Sequence, residues 1–268
     1  MITASIVLYK NDLEECHRIL DCLIKAHIDR IYLVDHSGDT RLSVLEEQSD
    51  TIEYIPHENL GYGAGHNIAI KKAIDASSKY HLIVNSDIFF EEGTIEKIVD
   101  YMEKDSSVAH IMPKVYYPNG ELQHLCKFLP TPFDLFVRGF LPGNLIKEQR
   151  RRFVMAFTGY NRIINAPYLS GCFMFIRTDV LQEIGGFDER FFMYPEDIDL
   201  TRRIHKKYKT IMYPAVSIVH DHKAAHRHSL RLRMIMIFNL IKYFNKWGWF
   251  FDKERKQFNE RLLDELAQ

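Results

Sequence analysis

The feature that most restricts the fold of this chain is the alternation of short apolar strands with amphipathic helices through its N-terminal half. Such alternation requires crossover connections, which place the strands parallel in one sheet and the helices on its faces. The sequence therefore predicts an α/β fold with a Rossmann-like, mostly parallel sheet. The predicted strands are Ile2–Leu8, Ile31–Val34, Ile52–Ile55 and Leu82–Val84, and the predicted helices are Leu13–Ala26, Ala64–Ala76 and Ile95–Met102.

The C-terminal half is less regular. Residues 126–165 contain three prolines and resist assignment, which is typical of a long functional loop. The tail, 226–268, has the composition of a helical extension. Between these segments the pattern predicts a hairpin over Val115–Leu122, strands Tyr168–Arg177 and Ala215–Val219, a helix Asp179–Ile184 that ends at two glycines, and a helix Asp197–Lys207.

Composition excludes some classes of function. The chain carries 35 Lys and Arg against 36 Asp and Glu, whereas a nucleic-acid-binding protein normally has a basic excess. The four cysteines form no C-x-x-C pair, as expected of reduced thiols in the cytosol. Neither a signal-peptide layout nor an apolar run of membrane-spanning length is found. We expect a cytoplasmic protein that is soluble or bound peripherally to the inner face of the plasma membrane.

Ligands of parallel α/β sheets bind beyond the carboxyl ends of the strands. At one such end, Asn59–Asn67 (NLGYGAGHN) follows a strand and opens a helix. Its glycines allow a ligand to approach the backbone, and the first turn of a helix offers unpaired N–H groups to an anion. The spacing differs from the dinucleotide fingerprint, so NAD binding is disfavoured. A plain strand-to-helix connection is the alternative.

Asn85-Ser86-Asp87 follows the most apolar strand. A carboxylate at a strand end, beside a phosphate-sized site, suits a divalent cation that bridges a diphosphate. A helix cap or turn is the alternative. The other candidate metal ligands are the histidines that follow the Ala215–Val219 strand, namely His220, His222, His226 and His228. Their spacing matches no closed zinc site, and histidines on a solvated surface are an equally good interpretation.

Five carboxylates lie within the twelve residues that begin at Asp188, and Glu196-Asp197 stands where a helix should start. Some of these groups are expected to cap the helix and to complement its dipole. Crowding of carboxylates also raises the pKa of at least one of them, as a general base requires.

These segments together, in this order, resemble the family-2 glycosyltransferases of the GT-A fold, and among them the bacterial rhamnosyltransferases of O-antigen and capsule assembly. The resemblance covers about residues 1–230. It rests on Asn59–Asn67, on Asn85-Ser86-Asp87 and on the Gly185–Leu200 block with its Gly-Gly-Phe-Asp-Glu and Glu-Asp-x-Asp-Leu motifs. It implies a catalytic domain over 1–225, with a nucleotide-binding half (1–113) and an acceptor and catalytic half (114–225), followed by the 226–268 tail.

The resemblance also implies the role of each site residue. Asp197, paired with Glu196, would be the general base, and Asp87 would ligate Mg²⁺ or Mn²⁺ with His220 as a further candidate ligand. The remaining implied contacts are with the donor: Tyr9, Asn11 and Asp35 to the base and ribose, Asn59, Gly61 and Asn67 to the ribose and diphosphate, and Ser170 and Gly171 beneath the sugar. This sequence departs from the family pattern at two positions: Ser86 stands where the similar enzymes often have Pro, and His36 stands where many of them have Asn.

The implied activity is inverting transfer of a sugar, with rhamnose favoured, from a dTDP- or UDP-sugar to a saccharide or lipid-linked acceptor. A UDP-hexose transferase of the same fold and a non-catalytic sugar-nucleotide-binding module are the alternatives. A nucleotidyltransferase should carry a glycine-rich basic loop near its first strand. It is disfavoured because residues 9–12, which follow that strand, contain no glycine. In the tail, basic residues beside Trp247 and Trp249 are compatible with peripheral contact with anionic lipid, or with a helix packed on the catalytic domain.

Overall fold

The computed structural model describes residues 1–136, 143–221 and 230–267. Within these residues nine strands form one sheet, in the order β3-β2-β1-β4-β10-β6-β11-β5, with β8 paired to β11. The strands are β1 Ile2–Leu8, β2 Arg30–Asp35, β3 Ile52–Pro56, β4 Tyr80–Val84, β5 Ile88–Phe90, β6 Val108–Tyr116, β7 Cys126–Lys127, β8 Ile164–Asn165, β9 Tyr168–Leu169, β10 Phe173–Arg177 and β11 Lys209–His220. The helices are α1 Leu13–Lys25, α2 Tyr62–Asp75, α3 Thr94–Lys104, α4 Pro132–Phe136, α5 Gly143–Phe153, α6 Thr178–Ile184, α7 Glu196–His205, α8 Leu230–Trp247 and α9 Lys253–Ala267.

Strands β3, β2, β1 and β4 are parallel, as the alternating pattern predicts. Beyond β4 the sheet is mixed, because β10 runs antiparallel to both β4 and β6. Strand β11 is parallel to β6 and antiparallel to β5. The inserted β10 carries the chain back across the sheet, so that the segment before it, Ser170–Cys172, reaches the same edge as Asn85.

Alternate side chains of the strands form two apolar layers. Leu82 and Val84 pack with α1 and α3, whereas Ile83 packs with α2, α6 and α7 on the opposite face. Every residue of β4 is buried, as expected of a central strand covered on both faces. A further apolar cluster joins β7, β9 and α5 to the tail helices through Tyr243, Phe244 and Leu262.

The structure corrects the predicted elements at several places. The predicted strand Tyr168–Arg177 is two strands, β9 and β10, separated by the turn that contains Gly171. The predicted hairpin over Val115–Leu122 is only partly formed: the structure has its turn at Gly120 and a single bridge between Tyr116 and Leu122. Its first strand is the end of β6, which begins earlier, at Val108. His222, His226 and His228 lie outside the described residues.

Candidate active site

The loops after β1, β2 and β4 meet at one edge of the sheet. Lys10 N donates a hydrogen bond of 2.8 Å to Ser37 Oγ, and Asn11 Nδ2 donates one of 2.7 Å to Ser86 Oγ. Asn11 Oδ1 in turn accepts from Tyr9 N. The sequence-predicted residues Tyr9 and Asn11 therefore lie beside the Asn85-Ser86-Asp87 segment, with the Tyr9 ring more than half exposed.

Asp35, at the end of β2, is buried, and its carboxylate is held on both oxygens. Oδ2 accepts a hydrogen bond of 2.7 Å from the Tyr54 hydroxyl, and Oδ1 accepts one of 2.8 Å from Ser37 N. Each carboxylate oxygen has a second lone-pair site. The position of Asp35 thus remains compatible with the predicted contact to a base or ribose.

His36 packs against the glycine-rich turn. A β-carbon at Gly65 would lie 2.8 Å from His36 Cε1, so the absence of a side chain at Gly65 makes room for the imidazole. Burial, followed by the proximity of His57, lowers the pKa of His36. His36, at the position where the resemblance leads us to expect Asn, therefore places a neutral ring against the first turn of α2.

The Asn59–Asn67 segment is tied to the loop that precedes α7. Asn59 Oδ1 accepts from Gly61 N at 3.1 Å, and Tyr62 N donates to the carbonyl oxygen of Phe192 at 2.9 Å. Gly61 has a φ of 99°, and a β-carbon there would overlap the Phe192 carbonyl. Glycine is required at this position for both reasons.

Asn67 lies further along α2, and its amide binds the Gly185–Glu189 turn. Oδ1 accepts from Phe187 N at 2.8 Å, and Nδ2 donates to Phe187 O at 3.0 Å and to Glu189 Oε1 at 2.9 Å. These contacts are made within the protein. Contact of Asn67 with a diphosphate stays a prediction.

Tyr62 is a central residue that sequence reasoning did not single out, although it lies inside the glycine-rich motif. Its hydroxyl is 2.8 Å from Gly171 O and 3.0 Å from Asn85 Oδ1, so one proton is shared between these acceptors. Burial, followed by the charge of Glu196, raises the pKa of Tyr62 well above its usual value. The neutral phenol joins three of the predicted site segments.

Asp87 faces His220 at the end of β11. Asp87 Oδ1 lies 3.4 Å from His220 Nε2, and within the described residues that oxygen is buried and accepts no hydrogen bond. His220 Nδ1 is 3.0 Å from Gln123 Oε1, while Gln123 Nε2 donates to His220 O at 2.6 Å. Burial lowers the pKa of His220, but Cys172 and Asp87 outweigh it and raise the pKa to about 10.

The donor set suits a divalent cation that completes its coordination with ligand oxygens. Asp87 would offer one oxygen and His220, once the cation had displaced its Nε2 proton, one nitrogen, while Gln123 orients the imidazole as outer-sphere partners commonly do. In the described part of the chain no cluster of three or more His, Cys, Asp or Glu side chains is suited to a metal ion. Mg²⁺ sites commonly use one or two protein carboxylates together with substrate phosphates.

Glu196 and Asp197 begin α7, as predicted. Asp197 Oδ2 accepts from Gly171 N at 3.0 Å, and Oδ1 accepts from Ile198 N at 2.8 Å. Burial raises the pKa of Asp197, against the opposing effects of Lys127 and the Gly171 N–H. A β-carbon on Gly171 would lie 3.0 Å from Asp197 Cβ, so the absence of one allows this close approach.

Glu196 is 5% exposed, and its Oε2 has no hydrogen-bond partner among the described residues. Burial, followed by the charge of Asp197, raises its pKa to about 8. The pair therefore does not carry two full charges at neutral pH. A shared proton of this kind is typical of carboxylates that perform acid–base chemistry.

The other three carboxylates of the predicted cluster serve structural contacts. Asp188 binds Arg190, and Glu189 binds Asn67. Asp199 is fully buried in contacts with Arg203 and the tail. The contacts in the structure therefore distinguish Glu196 and Asp197 from the three carboxylates with structural partners. The sequence alone did not make this distinction.

A cavity of about 610 Å³ opens onto Asp197. Asp197 and Ser170 line it on one side and His220 on another, so the proposed base and the proposed metal ligand share one space. Lys127 and Arg150 add positive charge to its wall, while leucines and Phe153 make much of it apolar. Lys127, which sequence reasoning did not select, lies 3.3 Å from the Tyr168 hydroxyl through its ammonium nitrogen.

The mostly parallel sheet, with Asp87 and His220 at the ends of β4 and β11 and Asp197 beside Gly171, is typical of the GT-A fold. Residues 2–235 match the family described as "Glycosyltransferase like family 2", and the chain belongs to that family.

Curated relatives are similar at modest identity. An "N-acetylglucosaminyl-diphospho-decaprenol L-rhamnosyltransferase" of Mycobacterium tuberculosis is 28% identical over 181 residues, 62% of this chain and 57% of the relative. The chain thus spans a little over half the length of that protein. "Rhamnosyltransferase WbbL" of Escherichia coli is 24% identical over 200 residues, 71% of this chain and 72% of the relative.

Solved structures support the fold assignment. A mannosyltransferase of Pyrobaculum calidifontis, in complex with GDP-mannose and Mn²⁺, superposes with a TM-score of 0.59 at 16% identity, covering 91% of this chain and 63% of its own. TarS of S. aureus superposes with a TM-score of 0.61 at 15% identity, covering 98% of this chain and 42% of its own. At these identities the likeness establishes the GT-A fold alone.

Proposed function

We propose that the protein transfers a sugar, with rhamnose favoured, from a nucleoside-diphosphate sugar to a saccharide or lipid-linked acceptor, with inversion at the anomeric carbon. The placement of Asp197 carries the proposal. Its carboxylate is oriented by Gly171 N–H at 3.0 Å and lines the cavity that His220 also lines. The names of the mycobacterial and E. coli relatives favour rhamnose, and the motif resemblance favours bacterial polysaccharide or O-antigen synthesis.

In the proposed reaction Asp197 removes the proton from an acceptor hydroxyl as the hydroxyl oxygen attacks the anomeric carbon. The bond from that carbon to the diphosphate oxygen breaks, and the diphosphate leaves with the electron pair on the opposite side. Burial raises the pKa of Asp197 and thereby makes the carboxylate a stronger base. Alignment of the hydroxyl between Asp197 and the anomeric carbon accounts for much of the expected rate enhancement.

We assign Asp87 and His220 as ligands of Mg²⁺ or Mn²⁺. A buried Asp87 Oδ1 that accepts no hydrogen bond from the described residues supports this assignment, as does its 3.4 Å separation from His220 Nε2. The cation would neutralise the leaving diphosphate. We assign Tyr9, Asn11 and Asp35 to the nucleoside, and the remaining donor contacts to Asn59, Gly61, Asn67, Ser170 and Gly171.

The apolar wall of the cavity suits an acceptor that carries a lipid, and Lys127 and Arg150 suit an anionic linkage. On α8, Leu230, Met234 and Phe238 are exposed at helical spacing, 79%, 50% and 58% respectively. We propose that this row, rather than Trp247 and Trp249, makes peripheral contact with anionic membrane. Both tryptophans pack against the protein. In the described part of the chain no helix has the length and apolarity to span a bilayer.

Vesicle cosedimentation tests the membrane proposal. A Met234→Ser, Phe238→Ser variant should bind anionic vesicles at least about threefold more weakly, because it loses apolar area from the contact. Phe157→Ser is the matched control, since Phe157 is also exposed (55%) but belongs to the Ala156–Thr158 turn and not to α8. Equal loss in both variants, or no loss in the first, would remove the row from the proposal.

Asp197→Asn tests the base. The amide keeps the shape and an acceptor for Gly171 N–H but cannot take a proton, so turnover should fall by about 10²- to 10⁴-fold while donor affinity stays within a few-fold. Turnover is followed as nucleoside diphosphate released. Unchanged turnover would show that another group acts as base.

Thermal unfolding with a panel of nucleoside diphosphates and nucleotide sugars, with and without Mn²⁺, separates the candidate donors. A ligand of the folded state raises the melting temperature by mass action. A shift with thymidine nucleotides supports rhamnose transfer, and one with uridine nucleotides supports a UDP-hexose transferase. Binding without turnover in the presence of candidate acceptors would favour the non-catalytic sugar-nucleotide-binding module.

A further inference from the structure

The inner face of α7 carries two charged side chains that are buried against the C-terminal tail. Asp199 is 0% and Arg202 1% exposed. Both lie on the helix that begins with Glu196 and Asp197, within two turns of its start. A buried charge requires partners, because its desolvation otherwise costs several kcal/mol.

One face of α8 supplies partners for α7 and for the loop that leads into it. Asn239 Nδ2 donates to Met193 O at 2.9 Å, and Lys242 Nζ donates to Arg190 O at 2.8 Å. Lys246 Nζ then bridges Asp188 Oδ2 at 2.7 Å and Asp199 Oδ1 at 2.5 Å. These donors are spaced three and four residues apart, so they share one side of the helix.

Residues at the end of α8 and at the start of α9 contact the buried charged side chains of α7. Trp247 Nε1 donates to Asp199 Oδ1 at 2.8 Å, and the Trp247 ring lies 4.0 Å from the Arg202 guanidinium carbon. Arg202 makes a two-point contact with Asp252, each hydrogen bond 2.7 Å long, and a third bond to Glu254. Four positions between 246 and 254 thus contact α7.

The loop held by α8 also touches the donor side. The Phe192 carbonyl accepts from Tyr62 N, while Asn67 binds the backbone of Phe187 at the start of the same loop. Displacement of this loop would therefore move the glycine-rich turn and the first turn of α7 together. Asn239, Lys242, Lys246 and Trp247 do not line the cavity, and their polar contacts join protein groups to one another.

We propose that Asn239, Lys242, Lys246 and Trp247 are positioning residues for the transfer reaction, which hold the loop before α7 and its first turn so that Asp197 stays against Gly171. This inference rests on the proposed role of Asp197. The match to the family ends at residue 235, so these groups lie beyond the shared domain. The predicted catalytic unit 1–225 would accordingly be incomplete without the tail.

The test compares Lys246→Met with Lys256→Met and Lys246→Arg in the full chain. Lys256 is an exposed residue of α9 whose partner, Glu260, lies on the same helix at 3.8 Å, which makes it a matched control. Turnover per folded molecule should fall about 10- to 100-fold in Lys246→Met, because displacement of a catalytic group by an ångström has effects of that size. Donor affinity should fall by less than turnover does, by about three- to tenfold, because the glycine-rich turn shifts with the loop but keeps its donor-contacting residues.

Lys246→Arg keeps the charge and should recover part of the turnover. Asn239→Ala, which removes one neutral hydrogen bond, gives a milder variant should Lys246→Met fail to fold. Hydrogen exchange at the amides of Gly171 and of the first turn of α7 should accelerate at least about tenfold in Lys246→Met and Asn239→Ala. This measurement requires no donor and so does not depend on the success of the Asp197 test.

Unchanged exchange at Gly171 and the first turn of α7 in both folded variants would overturn the inference. So would a Lys246→Met protein that is less stable but turns over at the wild-type rate per folded molecule. If Asp197→Asn remains active while exchange behaves as expected, the base assignment fails and the positioning contact survives.

Discussion

Removal of Asp252 should destabilise the protein far more than removal of a surface carboxylate. The side chains of Arg202 and Asp252 are 1% and 3% exposed, and loss of one partner of a buried pair costs about 3–5 kcal/mol. In Asp252→Ala the Arg202 Nε still donates to Glu254, so Arg202 keeps one charged partner. We therefore take the lower end of the range, about 3 kcal/mol, as the cost of losing the Asp252–Arg202 pair. Asp252 also accepts from Arg255 N at the start of α9, a cap worth about 1 kcal/mol.

The expected loss is therefore about 4 kcal/mol in the free energy of unfolding, or roughly 10 °C in melting temperature for a chain of this size. Urea unfolding followed by far-ultraviolet circular dichroism measures the first quantity, and a thermal scan measures the second. Glu53→Ala is the control. Its salt bridge with Lys72 joins side chains that are 42% and 41% exposed, and should contribute less than about 1 kcal/mol.

Two results would refute this reasoning. One is a loss in Asp252→Ala within about 1 kcal/mol of that in Glu53→Ala. The other concerns the double variant Arg202→Met, Asp252→Leu, which removes both charges of the pair and should recover much of the loss. Arg255 loses its ion pair with Asp252 but keeps its hydrogen bonds to the carbonyls of Pro130 and Trp249. A double variant as unstable as Asp252→Ala would mean that packing, and not charge, determines the effect.

Three further predictions concern the site. Glu196→Gln replaces a carboxyl whose pKa is raised to about 8 by burial and by Asp197 with a neutral amide, so the acid limb of the pH–rate profile, where Glu196 is already protonated, should stay in place. Asp87→Ala should weaken donor binding about tenfold or more in the presence of Mn²⁺ and should have little effect in EDTA, as measured by titration calorimetry. Gly61→Ala should lower the melting temperature by several degrees and weaken donor binding, because the new β-carbon overlaps the Phe192 carbonyl.

Each of these has a contrary outcome. An acid limb that moves to clearly lower pH in Glu196→Gln would mean that Glu196 is charged when Asp197 titrates. Equal donor affinity with and without EDTA in the wild-type protein would remove the metal role of Asp87. A Gly61→Ala protein with the stability of the wild type would show that the loop at Phe192 yields to the added carbon at little cost.

The sequence by itself determined the parallel half of the fold. Strand Ile2–Leu8 has the predicted bounds, and the ends of each further predicted element up to α3 lie within two residues of the prediction, although strand β5 was not predicted. Local periodicity suffices there, because each strand is a short apolar run and each helix buries one stripe. The helix that Glu196 begins was equally visible, since acidic residues collect at the start of a helix.

Long-range contacts decided the remainder. Strand β10 is inserted antiparallel between β4 and β6, and no local pattern encodes which strands an element joins. Among the carboxylates of the 188–199 segment, Asp197 lines the cavity and Asp199 binds the tail, although the two residues stand only two positions apart in the chain. Burial and partners from distant elements make this difference. Residue type and spacing indicated the chemistry available to this protein, whereas the desolvation and hydrogen bonding that separate a base from a structural charge arise only when the chain is folded.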